Sequence, residues 1–160
     1  MLKYIISILI IYLFFGFFLY FFQRKIVFNV SGKPKNPSDY GLKNVAKVHI
    51  STSDGIDLLS WYSKPKNKNP TLIYFHGNSF DIGGRAYRIQ RYLNEGWGVL
   101  LFAWRGYSGN KGNPTEKNLY EDAESALKWI EENTDLQKSD LIIYGESLGT
   151  GIAVELGTRY

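Results

Sequence analysis

From Tyr4 to Phe22 the chain runs nineteen residues without a charge, YIISILIIYLFFGFFLYFF. Inside hydrocarbon no water is available to satisfy backbone amides and carbonyls, so a single crossing segment has to be a helix. At 1.5 Å per residue the run reaches about 28 Å, close to the apolar thickness of a bilayer. It is longer than the roughly 7–15-residue core of a secretory signal, and Gln23-Arg24-Lys25-Ile26 follows where a signal would carry small residues for cleavage. The sequence therefore predicts an uncleaved anchor within residues 1–25, with the lipid bilayer as partner. Lys3 lies on one side of the run, and Arg24, Lys25, Lys33 and Lys35 on the other. That asymmetry predicts a single-pass membrane protein whose remaining residues face the cytoplasm.

Residues 26–46 read as a linker. Within them NVSGKPKNPSDYGLKNVA (29–46) is rich in Pro, Gly, Asn, Ser and Lys. Residues 47–160 form the folded domain. Val48, Ile50 and Thr52 alternate with His49 and Ser51. Ser53-Asp54-Gly55 then leads into Ile56–Tyr62, and an Asp-Gly between two such runs predicts a hairpin. Thr71–Phe75 and Val99–Trp104 are short apolar runs of the buried-strand type, and Leu141–Tyr144 is a third. Between them, Ile82, Ala86, Ile89 and Leu93 recur at helical spacing, as do Leu119, Ala123, Ala126, Leu127 and Ile130. Thr115 stands where a cap for the second helix belongs. Gly149–Tyr160 begins a last helix. A hairpin followed by alternating strands and helices predicts an α/β fold, a mostly parallel sheet with helices on both faces.

Composition removes several chemistries. With no cysteine there is no disulfide, thiol nucleophile or thiolate metal site. Two histidines without ligand spacing give no metal site, and no cofactor is expected. Much of the excess behind the net charge of +4 lies just after the anchor, which suits an anionic lipid surface. It forms no basic stripe with interleaved aromatics, so no nucleic acid is expected as partner.

The chemistry concentrates at Gly145-Glu146-Ser147-Leu148-Gly149, directly after the apolar run Leu141–Tyr144. A turn that tight, from strand to helix, holds its central residue in a strained backbone conformation. Any side chain at 145 or 149 would press into the neighbouring strand or helix, which glycine avoids. Ser147 is thereby presented beyond the carboxyl end of the sheet as a candidate nucleophile. The amide of Leu148 opens the following helix and is free to bind an oxyanion. The alternative is an ordinary glycine-rich turn, and the strand before it favours the catalytic reading. His76-Gly77-Asn78-Ser79 follows the Thr71–Phe75 strand in the same way. His76 is either an organiser of that loop or a merely satisfied loop histidine, and His49 reads as a surface strand residue.

Three ordered segments carry a resemblance: Ile73–Asn78 with Asp81-Ile82-Gly83, Arg105-Gly106-Tyr107-Ser108-Gly109 with Gly112 and Pro114, and Tyr144–Gly151. Together the chain resembles the alpha/beta-hydrolase superfamily, and within it the membrane-anchored serine hydrolases that include small lipid esterases and protein depalmitoylases. The resemblance implies a small acyl-ester or acyl-thioester substrate. It makes Ser147 the nucleophile and puts the second oxyanion donor at the amide of Asn78, with Ser79 the weaker candidate. His76, Gly77, Gly145 and Gly149 become structural members of the motifs. One departure is Ala103, where the family pattern carries an acidic residue.

A second departure concerns the base. A serine hydroxyl needs an imidazole oriented by a carboxylate, and in this superfamily the acid and then the histidine follow the serine. After Ser147 the only acid is Glu155, eight residues on in the last helix, and there is no histidine. The expectation is thus the amino-terminal part of a family fold whose nucleophile follows the fifth of eight strands, inactive alone because its triad is incomplete. The alternative is a non-catalytic membrane-anchored remnant or interaction protein.

Overall fold

The computed structural model describes residues 2–160. The amino-terminal helix α1 (Leu2–Val27) is apolar on every side and buries none of its residues. It is long and apolar enough to span a membrane. The folded part then runs β1 (Ala46–Ser51), β2 (Asp57–Ser63), β3 (Thr71–Phe75), α2 (Ala86–Asn94), β4 (Gly98–Phe102), α3 (Glu116–Asn133), β5 (Leu141–Gly145) and α4 (Leu148–Arg159). The strands form one sheet in the order β1-β2-β4-β3-β5. The hairpin β1–β2 joins antiparallel to β4, while β4, β3 and β5 are mutually parallel. The sheet is mixed, as a hairpin grafted onto a parallel core requires.

Two-residue periodicity divides the core. Ile73 and Phe75 of β3, with Leu100 and Phe102 of β4, point to one face and pack under α3 and α4 through Leu119, Ala126, Ile130, Ile152 and Leu156. Leu72 and Tyr74, with Val99 and Leu101, point to the other face and meet Ile82, Ala86 and Ile89. Every residue of β3 and β4 is buried, which is why these strands read as unbroken apolar runs. β5 lies at the edge and is only partly covered; Ile142 is 39 % exposed.

Local outcomes differ from the sequence reading in three places. Ile82 sits in a short 3-10 turn, Ile82–Arg85, and the α-helix begins only at Ala86. The turn starts at Asp81, whose carboxylate accepts from the Gly83 amide at 2.8 Å. The strand expected over Val99–Trp104 ends at Phe102, and Trp104 continues into the core with its indole donating to the His76 carbonyl at 2.9 Å. The lead-in before the hairpin is largely irregular but seated: Leu42 is buried in the α2-side core and Tyr40 packs its ring on Trp61, centroids 5.5 Å apart.

Thr115 caps α3 as expected, accepting from the Asn118 amide at 3.1 Å. The glycine-rich loop after β4 is held by charge. Arg105, 2 % exposed, donates from Nε to Asp122 of α3 at 2.8 Å and from Nη1 to Asp54 of the hairpin turn at 2.8 Å. Burial alone would lower the guanidinium's affinity for its proton; the bonds to Asp122 and Asp54 reverse this and lock it charged.

Candidate active site

Parallel pairing of β3 with β5 sets Phe75 opposite Gly145. The segments leaving those residues, His76–Ser79 and Glu146–Leu148, therefore emerge side by side at the carboxyl end of the sheet, where open α/β sheets bind ligands. The Glu146 amide donates to the Phe75 carbonyl at 2.9 Å, sealing the two turns together.

Ser147 stands at the corner between β5 and α4 with φ 51° and ψ −113°. A non-glycine residue there carries backbone strain of roughly 1–3 kcal/mol and persists only where its surroundings impose it. The two glycines do so. A Cβ on Gly145 would collide with the Gly149 carbonyl and the Thr150 Cα, and one on Gly149 with the Phe75 carbonyl. Strand and helix thus approach at glycine distance, and Ser147 is left exposed at the tip. The local geometry is therefore a tight strand-to-helix corner with a serine at its tip. A Cβ on Gly77 would lie 3.2 Å from the Ser147 Cβ, so the 76–79 loop faces the serine directly.

Leu148 begins α4, and the amides of Gly149 and Thr150 turn back onto the carbonyls of Glu146 and Ser147. Leu148's own amide lies at the helix's open end. Asn78 sits half-buried in the facing loop, and its side chain donates to the Val27 carbonyl at the end of α1, 2.9 Å away.

His76 is fully buried between the rings of Trp104 and Tyr107. Its Nδ1 lies 2.6 Å from the Gly77 carbonyl, which can only accept, so Nδ1 carries the proton. Burial drives the imidazole's pKa down to about 3, leaving it neutral. Its Nε2 and the Tyr107 hydroxyl have no hydrogen-bond partner among the described residues. Tyr107 is pushed up to about 12 by the same burial. The side-chain hydrogen bond of His76 thus stays within its own loop, and neither ring nitrogen bonds to Ser147. His49 is exposed on β1, at the opposite edge of the sheet from β5. Four strand spacings of about 4.8 Å make that separation roughly 19 Å. Glu155 lies on α4 and pairs with Arg159 at 2.7 Å, a helix-surface residue as expected. Ala103, where the family pattern has an acid, is fully buried on the α2 side of the sheet.

Sequence reasoning missed the clamp around the site. Arg85, 6 % exposed, donates from Nη1 to the carbonyls of Ser79 and Asp81 and from Nε to Glu146 at 3.3 Å. Arg88 adds a bond to Glu146 at 3.2 Å and the Tyr74 hydroxyl another at 2.8 Å. Burial pushes the Glu146 carboxyl up, but Tyr74, Arg85 and Arg88 together outweigh it and hold the group below 4.5. The residue before Ser147 is thus bolted to the loop opposite. The only signal in the sequence was an acid beside the candidate nucleophile. No acidic, histidine or cysteine cluster able to hold a metal occurs among the described residues.

No family model matches the chain. It is 32 % identical over 139 residues to an uncharacterized protein of Mycobacterium tuberculosis, covering 86 % of this chain and 50 % of that one. It is 28 % identical over 147 residues to the lysophosphatidylserine lipase ABHD12 of Danio rerio, covering 78 % and 38 % respectively. Among solved structures, an alpha-beta hydrolase from Vibrio vulnificus superposes with a TM-score of 0.64 at 26 % identity, over 71 % of this chain and 39 % of that one. The chain spans half the length or less of these relatives. Motif order, sheet topology, the strained serine corner and these likenesses agree: the chain belongs to the alpha/beta-hydrolase superfamily.

Proposed function

We propose that the chain carries the nucleophile and oxyanion half of a membrane-anchored serine hydrolase that cleaves ester or thioester bonds. In this reading the Ser147 hydroxyl attacks the acyl carbonyl and the amides of Leu148 and Asn78 bind the oxyanion. Collapse of the tetrahedral intermediate expels the alcohol or thiol, and water then releases the acid. His76, Gly77, Gly145 and Gly149 hold the two turns in register. Residues 1–25 are the anchor, 26–46 the connection and 47–160 the hydrolase portion, which faces the cytoplasm. The observation that carries the reading is an exposed serine at positive φ on a strand-to-helix corner, with a glycine of the facing loop packed against its Cβ.

Neither histidine of these 160 residues is positioned to deprotonate Ser147, so the base and its acid belong to residues outside them. Without a base such a site loses on the order of 10⁶ in rate. A fluorophosphonate probe tests this. A longer polypeptide containing this segment is expected to label at Ser147 and to lose the label in Ser147→Ala, while the 160-residue chain labels far more slowly. A folded longer protein that leaves Ser147 unlabelled would sink the hydrolase reading. A second reading, a non-catalytic membrane-anchored interaction protein, is favoured by the burial of His76 without a hydrogen bond to the serine. Ester turnover by the 160-residue chain would reject it.

A further inference from the structure

The amino-terminal helix is fastened to the hydrolase fold at its domain-proximal end. Asn78 donates to the Val27 carbonyl at 2.9 Å, so the candidate oxyanion loop is tied directly to the last residue of α1. Arg24 donates from Nη2 to the Pro114 carbonyl at 3.1 Å, just before α3. Phe28, the next residue after α1, packs against the core that contains Leu119 and Ile152. These contacts come from three separate segments, and between them they leave a cavity.

That cavity measures about 430 Å³ and lies between the end of α1 and the first turns of α3 and α4. The size falls within the range of roughly 300–1,000 Å³ that small-molecule sites occupy. Its walls are mostly apolar: Val27 and Phe28 from the anchor side, Tyr120 from α3, Leu148 and Ile152 from α4. Two features fix what such a space suits. Its lining includes Leu148, the residue after Ser147. It also includes Gln23 and Arg24, the residues that follow the uncharged run Tyr4–Phe22. An apolar space walled both by the neighbour of the candidate nucleophile and by the end of a helix of membrane-spanning length suits a long hydrocarbon chain attached to a reactive carbonyl.

We infer that this cavity is an acyl-chain site, filled by the fatty-acyl chain of a bilayer lipid that reaches it along α1. That the carbonyl end of this chain meets Ser147 rests on the hydrolase reading above; the binding itself does not. The anchor then has two tasks, holding the protein on the bilayer and supplying one wall of the lipid site.

The full 160-residue chain in phosphatidylcholine vesicles tests this, with a trace of phosphatidylcholine bearing a diazirine in its acyl chain. After irradiation the adducts are mapped by mass spectrometry. Adducts on Phe28, Tyr120 and Leu148 are expected to exceed those on Val154 at least tenfold, although Val154 is 62 % exposed on the same helix as Leu148. The variant Gly151→Trp fills the cavity, since a Cβ there meets nothing within 4 Å. It is expected to cut the three cavity adducts at least tenfold while those on residues 4–22 persist. Gly157→Trp, equally open but outside the cavity, is expected to change neither. Cavity adducts no more frequent than those on Val154, or undiminished in Gly151→Trp, would overturn the inference. Because no readout requires turnover, failure of Ser147 to take a fluorophosphonate would remove the hydrolase reading and leave this one standing.

Discussion

At the scale of single residues, two buried groups decide how the site is held. Arg85 links the carbonyls of Ser79 and Asp81 to the Glu146 carboxylate, joining the two turns that face each other at the sheet's end. Replacing it with Met leaves Glu146 with Tyr74 and Arg88 alone and strips the Ser79 and Asp81 carbonyls of their donor, which loosens the loop. Hydrogen exchange at the amides of residues 77–81 is expected to accelerate strongly in Arg85→Met, with those of β4 far less affected. His76 contributes a pH dependence. Its imidazole titrates near 3 when folded and near 6.5 when free, so between those values the unfolded chain binds more protons. Stability is therefore complete above 6.5 and falls as pH drops through the window, by about 1.4 kcal/mol per pH unit. Denaturant unfolding in detergent between pH 6.5 and 4.5 is expected to show that slope, and His76→Gln to flatten it.

At the scale of elements, β5 is the exception among the parallel strands. β3 and β4 are covered on both faces and paired on both edges, whereas β5 pairs only with β3. A strand edge with unpaired amides and carbonyls and an apolar face is a template for another chain. Ile142 and Val154 add exposed apolar surface beside it. The chain is expected to self-associate in detergent at micromolar concentration, and Ile142→Lys to shift sedimentation toward the single-chain species. Unchanged sedimentation in that variant would show that the β5 edge is not the contact. The same strand ends at the serine corner, so the element that presents Ser147 is also the least covered of the parallel strands.

At the scale of the whole molecule, a helix long and apolar enough to span a membrane and an α/β domain share an interface through Asn78, Arg24 and Phe28. This geometry brings the carboxyl end of the sheet, and Ser147 with it, close to the end of the span. Arg24, Lys25, Lys33 and Lys35 follow the uncharged run and Lys3 precedes it, a charge balance that favours the domain on the cytoplasmic side if the helix crosses a membrane. Since the chain has no cysteine, one introduced at exposed Lys68 reports topology unambiguously. In intact cells it is expected to resist a membrane-impermeant maleimide and to react after permeabilisation. Reaction in intact cells would reverse the orientation.

Much of this was legible because its physics is local. An uncharged run of bilayer length can only be a helix in lipid, alternation and helical spacing named the strands and helices, and Gly145 and Gly149 marked a corner too tight for a side chain. The mixed pairing of β2 with β4 was less so, since pairing partners leave no periodic trace in either strand. The Arg85–Glu146 clamp spans 61 residues and the Asn78–Val27 bond 51, and nothing near either partner announces the other. The chain itself determined which residue could be a nucleophile and which segment could enter a bilayer. Only the tertiary structure decided that the serine corner and its clamp share the carboxyl end of the sheet with the end of α1, because those contacts exist only once the parallel strands have set their loops side by side.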